Sequence, residues 1–573
     1  MNMNTKYHNY DKFPFIKAQG KAFSGYEEIK NEISKSNERV IVFDCYPIVD
    51  VKAIVNGIGD MFDRIFYSDT CVYYGEELTA KMQENLTDDR IFGVMTTSCL
   101  KDYFISEKTD AMRRDIEKSE GRVLVIEVGA ALVWKGNFNV HCSVARWESQ
   151  LRFRKGAPNW NCENYDMDPL TKFKRGYFVE WRIADKHKTQ NHRDFHYYMD
   201  TNVPECPKMI SREDYDAALE KAVKAPFRVV PYFDPGVWGG QWMKEVCDLD
   251  RSQTNFAWCF DCVPEENSVL YNFDGVKTET PSIDIVLHKA DKLLGERVQA
   301  RYGNEFPIRF DFLDTMGGGN LSLQVHPTTR YIQQNFNMKY TQDESYYILD
   351  CEEDGTVYLG AREGIEPAEF INALNTAQET GEIDVERFVN KWPAKKHDHF
   401  LIPGGTLHCS GSNTMVLEIS STPYIFTFKL WDWGRLGLDG KPRPINIRHG
   451  SKVINYSRDT KWVKNNLINQ IEKIAETEDF KEEKTGLHIF ELIETVRHWF
   501  TGETLHKSNG SVCVLNLVEG EEAEVVSPNN AFEPYVVHYA ETFIVPANVG
   551  DFIIRPTEKS KGKTLATIKA YVR

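Results

Sequence analysis

The segment Leu321-Ser-Leu-Gln-Val-His-Pro327 alternates apolar and polar side chains with a period of two. That period belongs to an extended strand, whose successive side chains point to opposite faces. Leu321, Leu323 and Val325 therefore share one face, and Gln324 and His326 share the other. Such a strand buries one face in a core and aims two metal-competent side chains into the space its sheet curves around. Proline cannot donate to a ladder, so Pro327 is expected to end the strand and leave His326 near an edge or rim.

The surrounding region, 226–450, continues in this style. Short strand-like runs from Ile308 to Leu313, Ser345 to Leu349, Val357 to Leu359, Phe400 to Ile402 and Met415 to Ile419 alternate with Gly and Pro turns. The pattern predicts an antiparallel sandwich or barrel. A helical insert from Pro367 to Val389, within about 361–395, has proline at its first helical position. Glu344 stands before an aromatic strand, where a carboxylate has no packing role. His408 follows the turn Pro403-Gly-Gly-Thr-Leu407, which would deliver its imidazole inward, and Glu418 sits inside the apolar run Met415-Val-Leu-Glu-Ile419. Buried carboxylates and imidazoles need partners, and one divalent cation satisfies several at once. Gln324, His326, Glu344 and His408 are the expected ligands. Their mixed nitrogen and oxygen donors suit zinc best and also admit Mn, Fe or Co. The rival pair His397 and His399 lacks a glutamate in the following Phe400-Leu-Ile-Pro-Gly404 and reads as a polar turn before a strand.

A chain of 573 residues is too long for one core and predicts three or four domains. Residues 1–225 alternate strand-like runs (Arg39 to Asp44, Arg122 to Glu127) with charged helical stretches (Thr109 to Ser119, Arg212 to Lys224). That order predicts a parallel α/β layer. Residues 451–573 open with Trp462, Leu467, Ile471 and Ile474 at helical spacing, then give strands from Ser511 to Gly520, Glu541 to Ala547 and Phe552 to Pro556. Phe543-Ile-Val-Pro-Ala547 parallels Phe400-Leu-Ile-Pro-Gly404, but no histidine follows it, so the second β unit is expected to be metal-free. The glycine-rich stretch Tyr232 to Gly240, carrying Trp238, suits a pocket rim. A formal charge of -16 argues against a nucleic-acid partner. No apolar leader and no long uncharged apolar run are present, which predicts a cytoplasmic protein with no membrane partner. Twelve scattered cysteines suit a reducing compartment, and Cys259 and Cys262 lack the second pair of a zinc ribbon.

Leu321 to Pro327, Glu344-Ser-Tyr-Tyr-Ile-Leu349, Tyr358-Leu-Gly-Ala-Arg-Glu-Gly364, Phe400 to His408, Trp431-Asp-Trp-Gly-Arg435 and Lys441-Pro-Arg-Pro444 together resemble the type I mannose-6-phosphate isomerases. The resemblance runs over about 230–573 and implies two β-sandwich cupin (jelly-roll) domains with helical insertions, 226–450 holding metal and 451–573 a helix plus a metal-free copy. It implies zinc-dependent aldose–ketose isomerisation of a sugar or sugar phosphate through an enediol, with the same four ligands. The family's cationic positions are altered: Gln342 and Asp311 stand where it has lysines, and Lys429 where it has an arginine. Lys429 and Glu418 are the expected catalytic groups; Arg435, Gln342, Asp311 and Trp238 are the expected substrate-facing ones. The competing expectation is a non-catalytic sugar-binding or regulatory protein that kept the metal site. In the first region, Arg39 to Val51 resembles the opening strand and turn of uridine-kinase-type P-loop kinases. Its Cys45-Tyr-Pro-Ile-Val-Asp50 has neither Gly nor Lys, which predicts a degenerate kinase-like scaffold.

Overall fold

A computed structural model describes residues 7–422, 426–438, 440, 443–486 and 488–573. Lys441 and Pro442 of the last resemblance phrase lie outside the described residues. The first region forms a seven-stranded sheet from β1 (Ala22–Ser24), β2 (Val40–Cys45), β3 (Arg64–Tyr67), β4 (Val123–Glu127), β5 (Asn139–Ser143), β6 (Tyr197–Asp200) and β7 (Lys208–Ser211). Its order is β1-β7-β6-β5-β2-β4-β3. Strands β6, β5, β2, β4 and β3 pair in parallel, while β7 and β1 close the sheet antiparallel. All six residues of β2 are buried, as an apolar strand covered on both faces must be.

The central region folds into two facing sheets. Its strands are β8 (Tyr232–Asp234), β9 (Trp258–Cys262), β10 (Arg309–Asp314), β11 (Leu323–Val325), β12 (Asp343–Cys351), β13 (Thr356–Ala361), β14 (Val389–Pro393), β15 (His399–Ile402), β16 (His408–Ser410), β17 (Thr414–Ser421) and β18 (Phe428–Trp431). One sheet runs β15-β12-β17-β10-β9-β8 and the other β14-β13-β16-β11-β18. In the first, Glu344, Ser420 and Arg309 pair across strands, and so do Tyr346, Glu418 and Asp311 two residues along. In the second, His408, Gln324 and Lys429 stand in one row. Paired residues share a face, so register alone collects these polar groups between the sheets.

Several expectations are corrected here. The helix starting at Pro367 stops at Thr380, capped by Gly381 at φ 80°, and the expected remainder includes strand β14. His326 does not lie at an edge, because β11 is flanked by β16 and β18 and the residue is 1% exposed. Glu344 lies within its strand, second residue of β12. The helix carrying Trp462 covers only Thr460–Asn466; Ile471 and Ile474 are exposed, the latter in strand Glu472–Glu476. Strand-forming Lys-Ile-Ala pairing with Phe480–Lys484 overrides the helical spacing there.

The last region adds a six-stranded and a four-stranded antiparallel sheet. One apolar cluster runs through the three regions. At the first junction Phe92 stacks on Phe426 with ring centres 5.2 Å apart and meets Phe428 edge-on. Among the described residues, no helix is long and apolar enough to cross a membrane.

Candidate metal centre

His326, Glu344 and His408 offer ligand atoms that all lie within 4.8 Å of one another, and all three side chains are buried. His326 Nε2 is 3.0 Å from Glu344 Oε2, and His408 Nε2 is 2.9 Å from Glu344 Oε1. Yet among the described residues His326 Nε2 and Glu344 Oε1 form no well-aligned hydrogen bond. Buried polar atoms rarely stay orphaned. Donor atoms this close without aligned hydrogen bonds fit a cation's coordination shell.

The tautomers follow from the backbone. His326 Nδ1 lies 2.8 Å from the Phe426 carbonyl and His408 Nδ1 2.8 Å from the Thr406 carbonyl. A carbonyl only accepts, so each Nδ1 carries the hydrogen and each Nε2 keeps its lone pair, the form a metal requires. Gln324 completes the arc, its amide nitrogen 3.2 Å from His408 Nε2. Turning that amide over would present its oxygen instead.

The turn that delivers His408 is pinned from both sides. Gly404 N–H donates to Asp343 Oδ1 at 2.6 Å, and Arg458 Nη1 donates to the Pro403 and Gly404 carbonyls and to Thr406 Oγ1. A side chain on Gly404 would meet the Pro327 carbonyl at 2.5 Å. Arg458 escaped the sequence reading because it lies 50 residues downstream with no local signal. Tyr346 is buried, shares Glu344's face and meets His408 edge-on at 5.9 Å. The i, i+2, i+4 spacing of Gln342, Glu344 and Tyr346 was the signal available for it.

A band of carboxyls adjoins His326, Glu344 and His408. Gln342 Oε1 accepts from Phe426 N–H, which turns its Nε2 toward Glu344 Oε2 at 2.9 Å and Glu418 Oε1 at 3.3 Å. A neutral amide thus serves both carboxyl groups. Burial, then the charges of Glu344 and Asp311, push Glu418 well above the usual carboxylate range. Asp311 is pushed up to about 6 by burial, against the pull of Arg309, whose Nε donates to it at 2.5 Å.

On the opposite sheet Lys429 has its ammonium pushed down to about 7, by burial first and then by the charges of Arg443, Arg435 and Arg90, with Asp432 opposing. Arg443 and Arg435 both pair with Asp432. Arg90 comes from the first region, where it pairs with Asp168 at 2.5 Å. Four cationic side chains therefore cluster at this edge. Arg330 is exposed, and Arg309 is engaged with Asp311. Trp238 is 1% exposed and packs edge-on to Trp258 at 4.7 Å, its carbonyl accepting from Gly319 N–H. His397 and His399 are bonded to Tyr347 and Ser345.

Comparison with known proteins adds the following. Residues 25–224 match a family model described as a domain of unknown function (DUF8485). The mannose-6-phosphate isomerase ManA of Bacillus subtilis is 27% identical over 230 residues, covering 40% of this chain and 68% of that protein. The probable mannose-6-phosphate isomerase GmuF of the same organism is 23% identical over 337 residues, covering 58% of this chain and 96% of that protein. A crystal structure of the Bacillus subtilis mannose 6-phosphate isomerase aligns over 61% of this chain and 100% of its own, with a TM-score of 0.48 and 18% identity.

Proposed function

We propose that the chain is a metal-dependent aldose–ketose isomerase of a sugar phosphate, the activity named for its sequence relatives. The observation that carries this reading is the buried convergence of His326 Nε2, His408 Nε2 and Glu344, two of whose ligand atoms are otherwise orphaned. Gln324 is the fourth donor in this reading. When bound, a divalent ion, zinc by its donor set, supplies Lewis acidity toward the adjacent oxygens of the sugar. Glu418 carries the proton between neighbouring carbons through an enediol. Burial raises the proton affinity of this carboxyl, so that it can both take that proton and return it. Lys429 and the guanidinium groups beside it hold the anionic end, which accounts for the absence of cations at Gln342 and Asp311. The associated layout is a metal-bearing cupin unit over 226–450, a metal-free copy over 451–573 and a kinase-like scaffold over 1–225.

Metal analysis of the wild type beside His326→Ala and His408→Ala, followed by assay of mannose 6-phosphate, tests the reading. The wild type is expected to retain a divalent ion and interconvert the aldose and ketose phosphates, and both variants to lose the ion and the activity. Full metal retention in both variants overturns the site; metal binding without turnover of any hexose or pentose phosphate overturns the enzyme.

A further inference from the structure

A cavity of about 740 Å³ opens in the first region, lined by none of His326, Glu344 and His408. It lies at the carboxyl ends of the parallel strands: Tyr46 and Ile48 follow β2, Glu127 ends β4, Asp69 follows β3 and Asn202 follows β6. Strand β2 is where the winding reverses, with β4 and β3 on one side and β5 and β6 on the other. Open α/β sheets bind ligands outside the carboxyl ends of their strands at this switch point. The backbone at the rim is held out of ordinary geometry, with Ile48 at φ 74° and Glu127 at φ 106°. A β-branched residue in the left-handed region is uncommon and costs energy the fold must offset elsewhere.

Two polar atoms are unspent there among the described residues. Trp160 is 6% exposed and its Nε1 has no acceptor among the described residues; Asp69 Oδ1 is buried without a donor. Burial, then the charge of Asp69, pushes the Glu127 carboxyl up to about 8, so at neutral pH it is protonated and can donate. The other polar lining is largely engaged. Arg152 donates to Glu148, to the Ile48 carbonyl and to the Thr201 carbonyl, and Asn161 donates to the Asp69 and Tyr73 carbonyls. Five carboxyl groups against Arg152 and Lys155 make the lining hostile to phosphate. An indole N–H, a carboxyl hydroxyl and an orphaned carboxylate oxygen, set between Trp160 and Tyr46, offer donors and acceptors together. An amine would use only the acceptors, and a phosphate only the donors.

We infer that this cavity is a second ligand site, for a neutral polyhydroxylated molecule of the sugar class, contacted by Trp160, Asp69 and Glu127. The test is calorimetric titration of the full chain with D-mannose and D-fructose, with inorganic phosphate and ethanolamine as contrasting probes. The double variant His326→Ala/His408→Ala serves as the background that removes the metal group. Sugar binding is expected to persist in that background and to weaken by about tenfold or more in Asp69→Ala and in Trp160→Phe, the loss of one hydrogen bond involving a buried group. Hydrogen exchange of the wild type should show sugar-dependent protection of the segments around Ile48, Glu127 and Trp160, a readout independent of how the variants fold. No sugar binding in the double variant, unchanged binding in both cavity variants, protection elsewhere, or binding of phosphate or ethanolamine in place of sugar would each overturn the inference.

Discussion

At the scale of single residues, the central region carries two buried side chains whose roles can be separated. Glu418 is close enough to Gln342 to accept from it, but it is not among the three grouped ligand residues. Glu418→Gln preserves shape and hydrogen bonding while abolishing proton transfer. Turnover is expected to fall by about 10²–10⁴-fold with metal content unchanged; loss of the ion in that variant would make Glu418 a structural support instead. Gln342 has a different task, satisfying two carboxylates and the Phe426 N–H at once. Gln342→Leu removes one hydrogen bond from each of those groups in a buried site and should cost about 1–3 kcal/mol of stability. An unchanged melting profile would show that the carboxylates had found other donors.

At the scale of elements, the delivery of His408 depends on what packs behind strand β13. Gly360, in that strand, has φ 78°, and a β-carbon there would meet Val463 Cγ2 at 2.3 Å and the Arg458 carbonyl at 2.9 Å. Val463 belongs to the short helix Thr460–Asn466, and Arg458 is the residue that pins the turn before His408. Gly360→Ala should therefore push this helix off the sheet, destabilise the chain by more than about 1 kcal/mol and loosen metal binding through Arg458. Measured melting temperature and metal dissociation rate check this together; a lowered melting temperature with unaltered dissociation would uncouple the helix from the turn.

At the scale of the whole molecule, the three regions meet through charges as well as through the shared apolar cluster. Glu519, in the last region, accepts from Lys396 at 2.6 Å and lies 3.2 Å from His397 Nε2, beside β15. Burial would raise its carboxyl, but the contacts with His397 and Lys396 outweigh it and lower it to about 2. Because the folded value lies below the unfolded value of about 4.3, the contact stabilises fully above that unfolded value and is lost as pH falls through about 2. Glu519→Gln should thus melt lower than wild type at neutral pH, with the gap closing below pH of about 4. A constant gap would assign the effect to packing. The first region reaches the opposite side of the central sheets, where Arg90 adds its charge beside Lys429. Arg90→Ala is expected to raise KM for a phosphorylated sugar while leaving kcat nearly unchanged, the pattern of lost uniform binding. A fall in kcat at constant KM would instead place Arg90 at the chemistry.

What could be read from the chain alone were the features set by local geometry. Alternation put Gln324 and His326 on one face, because a strand's side-chain period is two whatever surrounds it. A glutamate opening an aromatic strand, a histidine after a Pro-Gly-Gly turn and a glutamate inside an apolar strand stood out for the same local reason. The spacing of Trp462, Leu467, Ile471 and Ile474 misled, because helical periodicity over few residues yields to a neighbouring strand that needs a partner. Other features were decided only by tertiary structure. Arg458 and Asp343 hold one turn from different segments, Gln342 is oriented by a backbone N–H 84 residues away, and Arg90 adds its charge beside Lys429 from the first region. The cavity beside Trp160 likewise exists only where four strand ends meet. Sequence specifies which groups share a face; the distance and charge between faces depend on packing that no local pattern encodes.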